Sequence, residues 1–286
     1  MKKVVALMLG TLIVSMSAFS SYASEEAVSE DAVLSQDTEL TGSEQASEEI
    51  ALSEDGEVTL GDYSVITLQQ NVLDVSDDTV MSYIDSMSTD LTAAFSDIFP
   101  EEPEITDEIM SEYSEAYYGV QLDTVEAAKA YIRETLYNQN YRAAFFAELL
   151  GNAQVVSYPQ KEYDMMKEYA ENEIAYYASV SQITEDEMAQ KAGFASAEDF
   201  IEQEARSLVL NALVFDKILD DLGIECTQED VDAALTDYIV SQGMATSDEL
   251  EEFKESAGET WLWLFTETQY KAERVYEALQ DHVVIE

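Results

Sequence analysis

Apolar residues recur at alternating spacings of four and three between Ser196 and Leu222. This spacing keeps one apolar face along a helix of about six turns. The stripe consists of Ile201, Ala205, Leu208, Ala212, Phe215, Leu219 and Leu222. Gly223 then supplies a left-handed stop, and Thr227 begins a second helix that extends to Ile239. We predict that this helix pair, residues 196–241, is a buried scaffold for the chain.

Cap and stop signals in the same order predict helices from Ile105 to the end of the chain. The predicted helices are Asp107–Tyr118, Thr124 (or Asp123) to Leu150 with a stop at Gly151, Gln160 to about Val180, Glu185–Ala192, Asp248–Ser256 capped by Ser247, and Glu259–Asp281. Extended segments are predicted at Val155–Pro159 and Val283–Ile285. Upstream, Ser76 caps a helix that ends before Pro100, and the β-branched stretch 58–75 favours one or two short strands. The predicted fold class is mainly all-α, an elongated multi-helix domain with helical arms preceded by these strands.

The first 57 residues have a different character. Residues 1–23 resemble a secretory signal, with Lys2-Lys3, an apolar run and small residues before a cleavage site near Ala23. Residues 24–57 are polar and acidic, and we predict a disordered linker. The domain prediction continues with a strand-plus-helix segment, 58–104, and a helical domain, 105–286. The protein is therefore expected to be extracytoplasmic, either secreted or associated with the cell envelope; an uncleaved membrane anchor is the alternative.

The charge balance narrows the possible partners. The chain has 61 Asp and Glu against 13 Lys and Arg, for a formal net charge of −48. This charge argues against nucleic acid and against docking on an anionic membrane, because few cations are available to neutralise phosphates. It favours solubility and attraction of basic partners.

No motif for catalysis or cofactor binding occurs. Phosphate-binding glycine loops, a nucleophile elbow and a calcium loop are absent. Cys226 and His282 are the single cysteine and histidine, so a zinc site is not expected. We predict no catalytic residue, no metal and no cofactor.

Tyrosine and methionine are concentrated on the predicted helices. Such residues suit the binding of varied apolar segments, because methionine repacks easily and tyrosine joins an apolar ring to a polar tip. The alternative is that they are ordinary helical core. The candidate client-binding residues are Tyr113, Tyr117, Tyr118, Tyr137, Tyr141, Phe145, Met165, Met166, Tyr169, Tyr176 and Tyr177.

Two stretches of the chain form recognisable motifs: the turn Gly223-Ile-Glu-Cys-Thr227 with its flanking helices, and Thr106-Asp-Glu followed by 123–136. They resemble, respectively, a hairpin and the start of the C-terminal domain in the trigger factor C-terminal and SurA-like family of peptide-binding chaperones. Val155–Pro159 resembles a link between its arm helices. The likeness covers about residues 58–286. It implies helical arms that form an open cradle for unfolded chains.

The chain departs from that family in two ways. The FKBP-type isomerase domain would need roughly ninety residues before Thr106, where a few residues and two prolines stand, and the ribosome-docking loop is absent. The expected function is therefore an exported chaperone that holds unfolded or nascent secreted polypeptides, away from the ribosome. The alternatives are a peptidyl-prolyl isomerase of trigger factor type, and a structural or adhesion module at the cell surface.

Overall fold

The computed structural model describes residues 50–286, and the predicted signal segment and most of the predicted linker lie outside this range. Helices predominate and the strands are short, which confirms the mainly all-α fold class. The helices are α1 Gln70–Leu73, α2 Asp77–Ala94, α3 Asp107–Tyr118, α4 Val125–Gly151, α5 Gln160–Ser181, α6 Glu185–Lys191, α7 Ala197–Leu222, α8 Gln228–Ser241, α9 Leu250–Leu264 and α10 Lys271–Leu279. The strands are β1 Leu52–Ser53, β2 Glu57–Thr59, β3 Ile66–Leu68, β4 Gln154–Pro159 and β5 Val283–Ile285.

Side-chain caps begin the helices where the sequence places them. The hydroxyl groups of Thr106, Thr124 and Ser196 each accept a hydrogen bond from a backbone N–H of the first turn. Thr227 forms a complete capping box with Asp230 at the start of α8. These contacts satisfy backbone donors that a helix leaves unpaired at its N-terminus, which is why the starts of the helices follow so closely from the sequence.

Two small sheets connect distant parts of the chain. Strand β4 lies between β1, to which it is parallel, and β2, to which it is antiparallel. Strand β3 pairs in parallel with β5 at the C-terminus, with Ile66 opposite Val283. Residues 52–73 therefore pack against the helical part of the chain and share its central core. The first strand lies at Leu52–Ser53, ahead of the expected boundary at Val58.

Helix α7 runs through the centre of the molecule. Phe215 is fully buried and Leu219 is 3% exposed. They belong to a central cluster of buried residues that also includes Phe146 of α4, Ile66 of β3 and Val275 of α10. The ring of Phe146 meets that of Phe215 edge to face at 5.6 Å between centroids. The prediction that α7 is buried is confirmed for these positions, while Leu222, the last member of the predicted stripe, is 40% exposed.

Two further clusters form helical units away from this centre. The first helical unit, residues 77–136, consists of α2, α3 and the N-terminal half of α4 around Met87 and Met110. The second helical unit, residues 170–205, consists of the C-terminal half of α5, α6 and the beginning of α7 around Phe200. Smaller clusters join α5 to the middle of α7 and α8 to the segment 250–270. The hydrophobic interior of the described residues is thus divided into several clusters that lie along the long helices.

Several predicted elements differ from the structure. Gly151 is the last residue of α4, not a stop beyond it, and Thr246 replaces Ser247 as the cap of a short 3-10 turn, Ser247–Glu249, before α9. Strand β1 was not predicted, because two residues in a polar stretch carry no periodic signal. The last predicted helix, Glu259–Asp281, is broken into several segments, as described below. Within residues 50–286, no helix combines the length and the apolar composition that crossing a bilayer requires.

Candidate functional site

The predicted client-binding residues lie in different environments. Tyr118, Phe145 and Met166 are core residues, with exposures of 7%, 0% and 0%, so they offer no surface to a partner in this structure. Tyr176 is 64% exposed and its ring contacts Tyr177 at 5.4 Å. The half-buried residues are Tyr113, Tyr117, Tyr137, Tyr141, Met165, Tyr169 and Tyr177.

The half-buried members belong to separate clusters and do not converge on one surface. Tyr113 and Tyr117 pack on the first helical unit, while Tyr137 and Tyr141 pack on the central cluster. The phenol of Tyr117 donates to Asp90 Oδ2 at 2.8 Å, and burial together with this carboxylate raises the pKa of Tyr117. The Tyr117 hydroxyl is held by an internal contact, and all four rings pack against buried clusters, so these residues support the fold.

A groove that the sequence did not reveal lies beside the last helical segment. It has a volume of about 550 Å³ and is open to solvent. One wall is the face of α8 that carries Ala233, Ala234 and Tyr238, and the opposite wall is formed by residues 265–277. Arg142 of α4 lies at its edge.

The wall opposite α8 contains an unusual backbone segment. Residues Phe265–Tyr270 form a π-helix, in which the N–H of Lys271 donates to the carbonyl of Thr266, five residues earlier. This wider turn places Phe265, Thr268 and Gln269 toward the groove. Single π-helical turns are rare and frequently occur at functional sites. The helix is also kinked at Gly258, whose φ of 82° lies in the left-handed region.

The floor of the groove is apolar. Phe265 is 5% exposed and Ala272 is 2% exposed. Phe265 stacks on Trp261 at 5.8 Å with an interplanar angle of 9° and also contacts Tyr238 at 5.5 Å. Thr268 is 1% exposed, and its hydroxyl donates to the carbonyl of Leu264 at 2.7 Å, so its polar atom is satisfied within the helix.

Charged residues surround this floor, and their cations are paired. Arg142 Nη2 donates to Glu273 Oε2 at 2.5 Å, while its guanidinium lies 4.7 Å from the centre of the Tyr276 ring. Arg274 Nη1 donates to Glu277 Oε2 at 2.6 Å. Ion pairs with one partly exposed member hold the rim in place but contribute little net stability.

A second ion-pair cluster supports the π-helical segment from behind. Lys271 donates to Glu267 Oε2 at 2.5 Å and also to Asp216 of α7. Burial opposes the charge of Lys271, but the two carboxylates outweigh it and raise its pKa. Burial and the charge of Asp216 likewise raise the pKa of Glu267, against the opposite effect of Lys271. This cluster fastens the groove wall to the central helix.

The remaining candidate groups occupy structural positions. Cys226 is partly buried beside Tyr270, and burial raises the pKa of its thiol, which disfavours the reactive thiolate. His282 Nδ1 lies 3.4 Å from the carbonyl oxygen of Tyr63. Among the described residues, no three His, Cys, Asp or Glu side chains are grouped closely enough to hold a metal ion.

Comparisons with protein families, with curated proteins and with solved structures find no match for this chain.

Sequence reasoning missed the groove for a physical reason. Its walls are made of alanines and of residues that repeat at ordinary helical spacing, such as Phe265 and Ala272. Small residues on one helix opposite aromatic residues on another are equally typical of close helix packing. The separation between the two helices, which creates the groove, has no signature in either segment alone.

Proposed function

We propose that this protein is an exported chaperone that holds unfolded segments of newly secreted polypeptides, and that the groove between α8 and residues 265–277 is a principal contact for them. The observation that carries the proposal is this open groove of about 550 Å³ with an apolar floor. Its volume lies within the range of roughly 300–1,000 Å³ that is typical of binding pockets.

The lining suits apolar side chains of varied shape. Tyr238 and Phe265 supply aromatic faces, and Ala233 and Ala234 leave room between them. Such a surface can accept different apolar residues by contact and desolvation, without a fixed pattern of hydrogen bonds.

Exposed apolar residues elsewhere support binding at several places. Tyr176 and Val180 are 64% and 57% exposed on one face of α5. On the first helical unit, Ile98 is 60% exposed and Phe95 is 40% exposed. Several weak contacts on one molecule raise the overall affinity for a long flexible chain. The net charge of −48 would keep such complexes soluble.

A groove-filling substitution tests the proposal. In Ala233→Trp, the indole would occupy the groove, since Ala233 is solvent-exposed on its wall. The matched control is Ala130→Trp, because Ala130 is also an exposed alanine within a helix, outside the groove lining. The assay is light scattering by a denatured client protein diluted into buffer with a several-fold excess of chaperone.

We expect the wild-type protein and Ala130→Trp to suppress aggregation and Ala233→Trp to lose most of this effect. If the wild-type protein leaves aggregation unchanged, the proposed function is wrong. Equal suppression by both variants would remove the groove from the mechanism. A large acceleration of prolyl-peptide isomerisation by the wild-type protein would favour the isomerase alternative instead.

A further inference from the structure

The two walls of the groove, α8 and residues 265–277, are helical along their length. Backbone N–H and C=O groups within a helix pair with one another, and in a π-helical turn they pair five residues apart. The hydroxyl of Thr268, on the groove floor, donates to the carbonyl of Leu264 at 2.7 Å. The groove therefore offers few hydrogen-bond partners to the backbone of a bound segment.

This shortage distinguishes between the conformations that a bound segment can adopt. An extended segment has unpaired backbone groups, and burying them without partners costs free energy. Several peptide-binding domains supply those partners from the exposed edge of a strand, but the residues that line this groove all belong to helices. A helical segment pairs its own backbone groups and presents only side chains. The groove therefore favours a bound helix over a bound strand.

The length of the groove corresponds to a short helix. Its α8 wall runs from Asp230 to Tyr238, which spans about 12 Å at the helical rise of about 1.5 Å per residue. This length equals about two turns of a bound helix, or about four residues of an extended chain. Two turns place about three apolar side chains on one face. Because the groove is open to solvent, the polar face of such a helix would remain in water.

Small residues on the α8 wall allow another helix to come close. Ala233 is exposed and Ala234 is half-buried on this wall. The axes of packed helices lie about 8–10 Å apart, at a distance that depends on the side chains at the contact. The rings of Tyr238 and Phe265, 5.5 Å apart between centroids, add an aromatic surface. The lining thus combines room for a helix backbone with apolar contacts for its side chains.

The charge beside this apolar surface is negative. Helix α8 carries four carboxylates and no Lys or Arg. Asp230 precedes Ala233 by three residues and Asp237 follows it by four, so the three lie on one helical face. Both arginines that line the groove are paired with glutamates. Lys or Arg residues beside the apolar face of a bound helix would therefore complement the charge of this wall.

We propose that the groove binds client segments as helices of about two turns, with an apolar face and with basic residues beside it. This inference rests on the proposed chaperone function and names the class of client segment that the groove takes. The apolar face of the segment lies on Tyr238, Phe265 and the two alanines, and its basic residues lie next to Asp230 and Asp237. Amphipathic helices that have not yet packed onto the core of their own protein belong to this class.

Binding of fluorescent peptides to the full chain, followed by anisotropy, tests the inference. The first peptide is built from helix-forming residues, with leucines at positions i, i+3 and i+7 and lysines beside them. The second has the same composition, but its leucines are distributed around the helix so that no face is apolar. Since the two peptides have equal charge, general attraction to the acidic chain affects both alike. The third peptide is the first with every lysine replaced by glutamate.

We expect the first peptide to bind the wild-type protein and Ala130→Trp at least about tenfold more tightly than the second, because it buries all its leucines together. In Ala233→Trp, the affinity for the first peptide should fall to that for the second. The first peptide should also bind more tightly than the third, by a factor that decreases as salt is added. In the wild-type protein, transferred nuclear Overhauser effects between backbone protons three residues apart should show that the bound first peptide is helical.

Equal affinities for the first and second peptides would overturn the inference, and so would binding of the first peptide that is unchanged in Ala233→Trp. The transferred Overhauser effects require no variant, so they keep the test valid if Ala233→Trp fails to fold. A bound first peptide with only sequential effects, typical of an extended chain, would also overturn it. Equal binding of the first and third peptides at low salt would show that the basic residues play no part.

These results can be told apart from a failure of the proposed function. If the chaperone proposal is wrong, the wild-type protein does not suppress the aggregation of a denatured client. If suppression occurs and depends on the groove, but the first two peptides bind equally, the chaperone proposal stands and the helical client class is wrong.

Discussion

Replacement of Phe215 by alanine tests whether α7 is the scaffold on which the rest of the chain depends. Phe215 is fully buried in the central cluster, where it meets Phe146 edge to face. Removal of the ring loses its transfer free energy and leaves a cavity among side chains that belong to four different elements. Phe→Ala substitutions in cores of this kind cost about 3–5 kcal/mol.

For an ordered region of about 240 residues, 1 kcal/mol corresponds to roughly 2–4 °C in melting temperature. We therefore expect Phe215→Ala to melt about 10 °C lower than the wild type. The assay is urea unfolding and thermal melting followed by far-ultraviolet circular dichroism. The denaturant dependence of the free energy should remain that of the wild type, so that the change is one of stability alone.

The matched control is Tyr176→Ala, since Tyr176 is an aromatic residue within a helix but is 64% exposed. This variant should change the free energy of unfolding by no more than about 0.5 kcal/mol. A loss below about 1 kcal/mol in Phe215→Ala, or a loss equal to that of the control, would refute the assignment of α7 as scaffold.

Three other predictions concern local features of the fold. Gly56 has a φ of +69°, and a Cβ there would lie 2.5 Å from Pro159 Cδ. Gly56→Ala should therefore lower the free energy of unfolding, measured in urea, more than the control Gly193→Ala does. At Gly193 φ is also positive, but no atom lies near the added Cβ. Thr227→Ala should cost about 1 kcal/mol by removing a capping box, and Thr227→Ser should restore most of it; an unchanged midpoint for the alanine variant would contradict this. Burial of Glu204, followed by the charge of Glu173, raises the pKa of Glu204 from 4.5 to about 8. Between these two values the folded protein keeps a proton that the unfolded chain releases. The free energy of unfolding should therefore fall by a few kcal/mol as the pH rises from about 4.5 to about 8, and should then level off. Urea titrations at several pH values should show this fall in the wild type and its absence in Glu204→Gln.

The sequence predicts the helical scaffold well because the cap and stop residues agree with the apolar periodicity. On α7 the apolar stripe, the Ser196 cap and the Gly223 stop all indicate the same helix, and the structure places its ends within a residue of the prediction. On residues 259–281 the apolar pattern is equally clear, but it cannot distinguish an α-helix from one with a π-helical turn. The extra residue in that turn is accommodated by tertiary packing, including the contact of Lys271 with Asp216.

The candidate site was less predictable, because aromatic and methionine residues serve cores and surfaces alike. Phe145 and Met166 are residue types expected on a client-binding surface, and yet both are completely buried. Neighbouring positions on the same helices, such as Met165, are only half-buried. The difference depends on which face of each helix meets another helix, and this is decided by contacts between residues far apart in sequence.

The most direct test of the chaperone proposal is to ask whether an unfolded client lies in the groove. A photo-reactive benzoylphenylalanine introduced at Ala233 would place the cross-linking group on the groove wall, and the same residue at Ala130 would serve as the exposed control. After irradiation with a denatured client, the proposal predicts a cross-linked product at position 233 in several-fold higher yield than at position 130, reduced by competition with a second unfolded protein. Equal yields at the two positions, or no product at position 233 while the client remains bound, would contradict it.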